Sequence, residues 1–192
     1  MSPGHNNITR AGVIPRTAAA TATVPGDQPC WYAVSTKPQH EMRVAKLLEA
    51  KQIEHFLPVA PVRRRWSDRY VTTPLPLFPR YVLVRLAYGD YDQRVAVLDC
   101  RSVAGFIGDG KIAWPIPETE IASVRILAQS GVECSTSRYL RAGSFVEVIH
   151  GPLAGAQGIL IREPKKYRLA VSISLFAQSI SAEVDVADVR PC

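Results

Sequence analysis

Gly143-Ser-Phe-Val-Glu-Val-Ile-His-Gly-Pro-Leu-Ala-Gly-Ala-Gln-Gly-Ile-Leu-Ile161 is the stretch on which the reading of this chain turns. Val146 and Val148 alternate onto one face of a strand. Gly151 and Pro152 turn the chain, Leu153 follows, and Gly155 and Gly158 admit left-handed or crowded backbone before the next strand begins. Each glycine alone carries little, but their spacing, with Gly143 ahead of the first strand, specifies a strand–turn–strand unit.

Working outward, residues 145–149, 158–161, 168–175 and 181–186 are short, rich in β-branched residues and often alternating. Gly, Pro and Lys separate them, so about four or five strands over residues 139–192 predict a small curled sheet or barrel. Upstream, Ser130 to Ser137 is small and polar, which suits a linker over 130–138. Residues 30–129 mix element types. Strands are expected at 30–35 and 80–86, with helices over 39–51, around 91–98 and from Pro117. Arg63-Arg-Arg-Trp-Ser-Asp-Arg69 reads as the basic tip of a hairpin. That order predicts an α+β fold, a small antiparallel sheet covered by helices, followed by the all-β unit. Residues 1–29 hold four prolines and no aromatic residue, and are expected to be a disordered tail.

Charge narrows the partners. Residues 30–129 carry fourteen basic and ten acidic residues, against seven and six in 130–192, so the excess sits in the helix-and-sheet segment. A sequence pI near 9.3 favours an anionic partner. No apolar run approaches the ~18 residues of a membrane helix, and no secretory signal core is present. The four cysteines, at 30, 100, 134 and 192, form no CxxC unit, which points to a reducing cytoplasm. His5, His40, His55 and His150 are scattered, and no Gly-rich phosphate loop occurs. No enzyme, cofactor or metal is expected.

The 143–161 stretch resembles a KOW motif, found in small β-barrels of transcription elongation factors and some ribosomal proteins. Trp31-Tyr-Ala-Val34, a helix carrying Glu41, Phe56-Leu-Pro58, the Arg-rich hairpin and Phe78-Pro-Arg-Tyr-Val-Leu-Val84 stand ahead of it in that order. Together they resemble the NusG family of bacterial transcription factors over residues 30–192. Arg80 departs from the Gly usual in the family's Phe-Pro-Gly-Tyr-Val phrase. With the acidic-aromatic Ala87–Asp92 stretch and the tail, it suggests a specialised, RfaH-like paralogue.

The resemblance implies a monomeric elongation or antitermination factor whose first domain docks on the clamp helices of the RNA polymerase large subunit. By resemblance the docking pocket comprises Trp31, Tyr32, Phe78, Pro79, Tyr81, Phe106 and Ile107. A contact with the opposing polymerase lobe falls on Asp92, Gln93 and Arg94. Arg63, Arg64, Arg65 and Arg69 would hold phosphates of upstream or non-template DNA, with Trp66 stacking on a base. The KOW domain would recruit the termination factor Rho or a ribosomal small-subunit protein, through apolar groups near Phe145, Ile149 and Leu175-Phe176. Its valines and Pro164 predict a constitutive barrel rather than a helical hairpin. A KOW-containing ribosomal or RNA-binding protein and a Rho-stimulating termination cofactor are the alternative readings. A net charge near +1 on the barrel argues against tight rRNA binding.

Overall fold

The computed structural model describes residues 28–66, 69–137, 143–162, 166–173 and 178–192, with the side chains of 62–66, 70, 72, 136–137 and 173 left out. Most of the expected tail, and Leu175-Phe176, lie outside the described residues. The first unit is built on β1 (Pro29–Thr36) and β5 (Tyr81–Ala87), the central pair of a four-stranded antiparallel sheet. Two-residue β2 (His55–Phe56) flanks β5, and β6 (Val103–Phe106) flanks β1. Opposed residues share a face, so register sorts the side chains. Trp31↔Arg85, Ala33↔Leu83 and Ser35↔Tyr81 lie on one face; Tyr32↔Val84 and Val34↔Val82 lie on the other. A bulge after Ser35 shifts the pairing of β1 with β6.

Helices cover both faces. α1 (Glu41–Ala50) buries Val44 and Leu48, and α2 (Tyr91–Leu98) buries Val97, in one core with Tyr32, Val34, Val82, Val84 and Leu86. α3 (Glu118–Gln129) buries Ile121, Val124 and Leu127 in the core shared with Trp31, Ala33 and Leu83. The starts have local causes. Asp90 caps α2 by accepting the Gln93 N–H at 3.1 Å. α3 opens after Pro117, with Glu118 and Glu120 favourably placed in its first turn.

β3 (Val59–Trp66) and β4 (Arg69–Pro76) form a separate two-stranded hairpin. Its pairing continues to Trp66↔Arg69, so Arg63 to Trp66 belong to a strand rather than to the expected tip. The second unit is a six-stranded antiparallel sheet in the order β12-β8-β9-β10-β11-β7. Its strands are β7 (Cys134–Ser137), β8 (Ser144–Val148), β9 (Gln157–Arg162), β10 (Tyr167–Ile173), β11 (Gln178–Val184) and β12 (Val189–Pro191). The segment read as a linker thus contains β7. Its four residues pair with Ser179 to Ala182, and the Arg168 guanidinium, bonded to Ser135 Oγ at 2.7 Å and to the Ser181 carbonyl at 2.7 Å, ties it down.

Candidate docking and nucleic-acid interfaces

Trp31 and Tyr32 are chain neighbours on opposite sides of the sheet, and the residues expected to form one pocket divide with them. Trp31, Phe78, Tyr81 and Ile107 pack in the α3-side core together with Phe56, Leu83 and Ile116. Tyr32 and Phe106 pack on the other side with Tyr88, ring centres 5.1 Å (Tyr32–Tyr88) and 6.3 Å (Tyr32–Phe106) apart. Pro79 is exposed at the start of β5. Strand alternation carries this division, because adjacent residues cannot share a face.

The two faces are closed differently. Tyr32 is fully buried and its hydroxyl has no partner among the described residues; burial first, then Cys30 and Tyr88, pushes its pKa up to about 12. That is the behaviour of a core phenol. On the α3 side, Trp31 is 2% exposed and its indole N–H also lacks an acceptor among the described residues. Part of its cover is a solvent-exposed side chain. The Arg125 guanidinium lies 5.8 Å from the Trp31 ring centre and 5.2 Å from that of Phe56.

A cationic site absent from the sequence reading forms where the end of β1, the start of α1, the start of β5 and the turn before β6 converge. The Thr36 N–H donates to the Arg80 carbonyl at 2.8 Å, and the Lys37 N–H to that of Ser102 at 2.9 Å. His40 Nδ1 and Ser102 Oγ share a 2.8 Å hydrogen bond. Gln39, Arg80 and Ser102 all have left-handed backbone, at φ 63°, 73° and 85°. Each such residue costs about 1–2 kcal/mol. Buried Glu41 helps hold the strained turn, its Oε1 accepting the Arg80 N–H at 2.7 Å. Lys37, Arg80 and Arg101 are left exposed, while the Glu41 carboxylate is engaged inward. Arg80 in place of glycine was the one sequence signal of this site.

The other expected contacts fall as follows. Arg63 to Arg65 and Trp66 run along β3 opposite Tyr70 to Thr72 and the exposed Arg69; the side chains of 63–66 lie outside the description. Asp92 and Gln93 are exposed at the start of α2, the Gln93 amide being used by the Asp90 cap. The Arg94 guanidinium lies over Tyr88 at 4.9 Å and Tyr91 at 5.9 Å. In the all-β unit Val146, Val148 and Leu153 are buried, Pro152 is exposed, and Gly151 and Gly155 take φ 81° and 86°. A Cβ on Gly158 would stand 2.5 Å from the Ala170 carbonyl oxygen, and one on Gly143 would meet that of Leu160, so strand approach excludes a side chain at both. Phe145 is 53% exposed and Ile149 is exposed beside it. The unit also meets α3: the Gln157 N–H donates to Ser123 Oγ at 2.9 Å, and a Cβ on Gly155 would lie 3.4 Å from Ile126 Cδ1.

Burial pushes the Cys100 and Cys134 thiols up, away from the reactive thiolate. Among the described residues no three His, Cys, Asp or Glu side chains gather as metal ligands. No helix among them is long and apolar enough to cross a membrane.

A helix-covered sheet with an aromatic face and exposed arginines, joined to a glycine-turned all-β unit, defines a two-part binding factor. Comparison with known proteins makes the class specific. The family model described as "Transcription termination factor nusG" matches residues 29–125. The chain is 30% identical over 178 residues to the transcription termination/antitermination protein NusG of Yersinia pestis, covering 83% of this chain and 94% of that protein. It is 32% identical over 168 residues to that of Staphylococcus aureus, covering 81% and 91%. The solved structure titled "Domain interaction in Thermotoga maritima NusG" shares the fold at a TM-score of 0.51 and 22% identity, over 85% of this chain and 97% of that one. The chain belongs to the NusG family: it is a transcription termination/antitermination protein and not an enzyme.

Proposed function

We propose that this protein docks on the clamp helices of the RNA polymerase large subunit through its Trp31 face and promotes processive elongation in the cytoplasm. The observation that carries the reading is the asymmetry of the sheet. One face is closed by α1 and α2; on the other, packed against α3, Phe56, Tyr81 and Ile107 stay half-buried and the exposed side chain of Arg125 stands over the Trp31 and Phe56 rings. Phe78, Tyr81, Leu83 and Ile107 extend that second face, and Pro79 stands at its rim. Such an apolar surface suits side chains presented by a helix pair. Tyr32 and Phe106 support it from the opposite side.

Arg63 to Arg69 on the hairpin, and Lys37, Arg80 and Arg101 at the sheet end, supply phosphate contacts to upstream or non-template DNA. Such contacts give affinity that falls steeply with salt. Asp92 to Arg94 reach the polymerase lobe, and the all-β unit recruits Rho or a ribosomal small-subunit protein. The test is retention of bacterial RNA polymerase by the immobilised full chain. Wild type should retain it and the Phe78→Ala, Tyr81→Ala variant, checked for folding by circular dichroism, should lose it. Equal retention would remove the docking face from consideration. Transcription with and without Rho then gives the sign of the effect.

A further inference from the structure

Between β6 and α3 the chain doubles back on itself over residues 107–114. Gly108 and Ala113 form an antiparallel bridge, and the Trp114 N–H donates to the Ile107 carbonyl at 3.0 Å. Three local devices close the turn. Asp109 Oδ1 accepts the Lys111 N–H at 2.9 Å and the Ile112 N–H at 2.8 Å. Gly110 takes left-handed backbone at φ 90°. A Cβ on Gly108 would collide with the Ile112 carbonyl oxygen. This closed turn nevertheless leaves two large apolar side chains in water, with Ile112 41% and Trp114 43% exposed.

Register assigns Trp114 to one face of the sheet. The Gly108–Ala113 bridge sets Ile107 opposite Trp114, and opposed residues share a face. Ile107, whose N–H donates to the Ala33 carbonyl at 2.9 Å, packs against the Trp31 core. Further along, Ala113 is buried in the Tyr32 core, and Ile116, bridged to Trp31, in the Trp31 core. Alternation between them returns Trp114 to the Trp31 side. We infer, resting on the docking reading above, that Trp114, with Ile112 two residues before it, anchors the outer edge of the docking face against apolar side chains of a polymerase clamp helix. A tryptophan held out by a preformed turn loses little freedom on binding, and tryptophan is over-represented among the residues that dominate interface energy. The turn carries one cation, Lys111, and one acid, Asp109, so it offers no net charge to a nucleic-acid backbone.

The experiment measures affinity of the full chain for purified bacterial RNA polymerase, comparing wild type with Trp114→Ala, Trp114→Phe, Ile112→Ser and the Phe78→Ala, Tyr81→Ala variant. Thermal melts check folding, and the changes at 112 and 114 should leave them near wild type because both side chains are exposed. Trp114→Ala should weaken binding by about tenfold or more and Ile112→Ser by about threefold, while Trp114→Phe recovers most of the loss. A photo-reactive p-benzoylphenylalanine at position 114 should cross-link to the polymerase large subunit. Wild-type affinity in Trp114→Ala, or a cross-link only to another subunit, would overturn the inference and leave the docking reading standing. Weakened duplex or single-stranded DNA binding with polymerase affinity unchanged would make the turn a nucleic-acid contact and overturn it as well. Loss in Trp114→Ala beside normal binding by the Phe78→Ala, Tyr81→Ala variant would detach the turn from the sheet face and break the proposed continuity. Absence of polymerase binding by wild type would instead sink the docking reading, and this inference with it.

Discussion

Trp31 and Tyr32 make a controlled pair: adjacent, aromatic, nearly or fully buried, each with a polar atom that finds no partner among the described residues. What differs is the lid. Tyr32 lies with Tyr88 and Phe106 in a core closed by Val44, Leu48 and Val97 from two helices, whereas Trp31, packed with Ile121 and Val124 of α3, has an exposed arginine over its ring as well. Burial alone does not separate a docking residue from a core residue. The separation comes from whether the covering group can leave without unfolding the protein.

Measured stability should expose that difference. Tyr32→Ala should cost about 3–5 kcal/mol, the range for truncating a packed aromatic ring. Arg125→Ala, which removes only the exposed side chain over Trp31 and Phe56, should stay within about 1 kcal/mol of wild type, because an exposed cation–π contact contributes little. Urea unfolding reads both, and similar losses would erase the proposed distinction between the faces.

A pH series sharpens the Tyr32 side. Its phenol is held neutral in the folded protein, with a pKa of about 12 against the ordinary 10.0. A raised pKa means the unfolded chain gives up the proton first. The contribution is therefore fully present below pH 10 and is lost progressively from there to about pH 12. Tyr32→Phe should flatten that part of the profile relative to wild type in urea unfolding between pH 7 and 11.5. Parallel profiles would mean that the hydroxyl is not desolvated.

The smallest effect lies at the sheet end, where the two faces meet. Arg80→Gly relieves a left-handed residue worth about 1–2 kcal/mol but frees the unfolded chain by about 0.4–1, leaving a net gain of up to about 1.6 kcal/mol. The same change should weaken duplex DNA binding and flatten its salt dependence. A more stable variant with unaltered DNA affinity would strip the site of its proposed role.

The sequence carried the local elements well, since period and punctuation encode them. The helix expected around 91–98 is α2, Tyr91–Leu98, and the strand expected over 80–86 is β5, Tyr81–Ala87. The resemblance offered Trp31 or Tyr32 from the first strand, and strand geometry puts the two on opposite faces. Ser130 to Ser137 looked like a linker because small polar residues hide a strand whose stability comes from Arg168 and Ser181, more than thirty residues away. The cationic sheet end was illegible for a similar reason. It assembles from residues near 37–41, 80 and 101–102, and no window of sequence contains them together.

The helix that carries Arg125 has one further implication, for how this protein can be dissected. α3 is packed on two sides, with Ala122, Arg125 and Gln129 left exposed between them. Ile121 and Val124 belong to the sheet, and Ser123 and Ile126 meet β9 and the turn before it. A truncation ending near Gln129, although it matches the family boundary well, would leave Ser123 without its Gln157 donor and bare the Ile126–Leu127 flank to water. Such a fragment should self-associate, and its stickiness would masquerade as affinity in any capture assay.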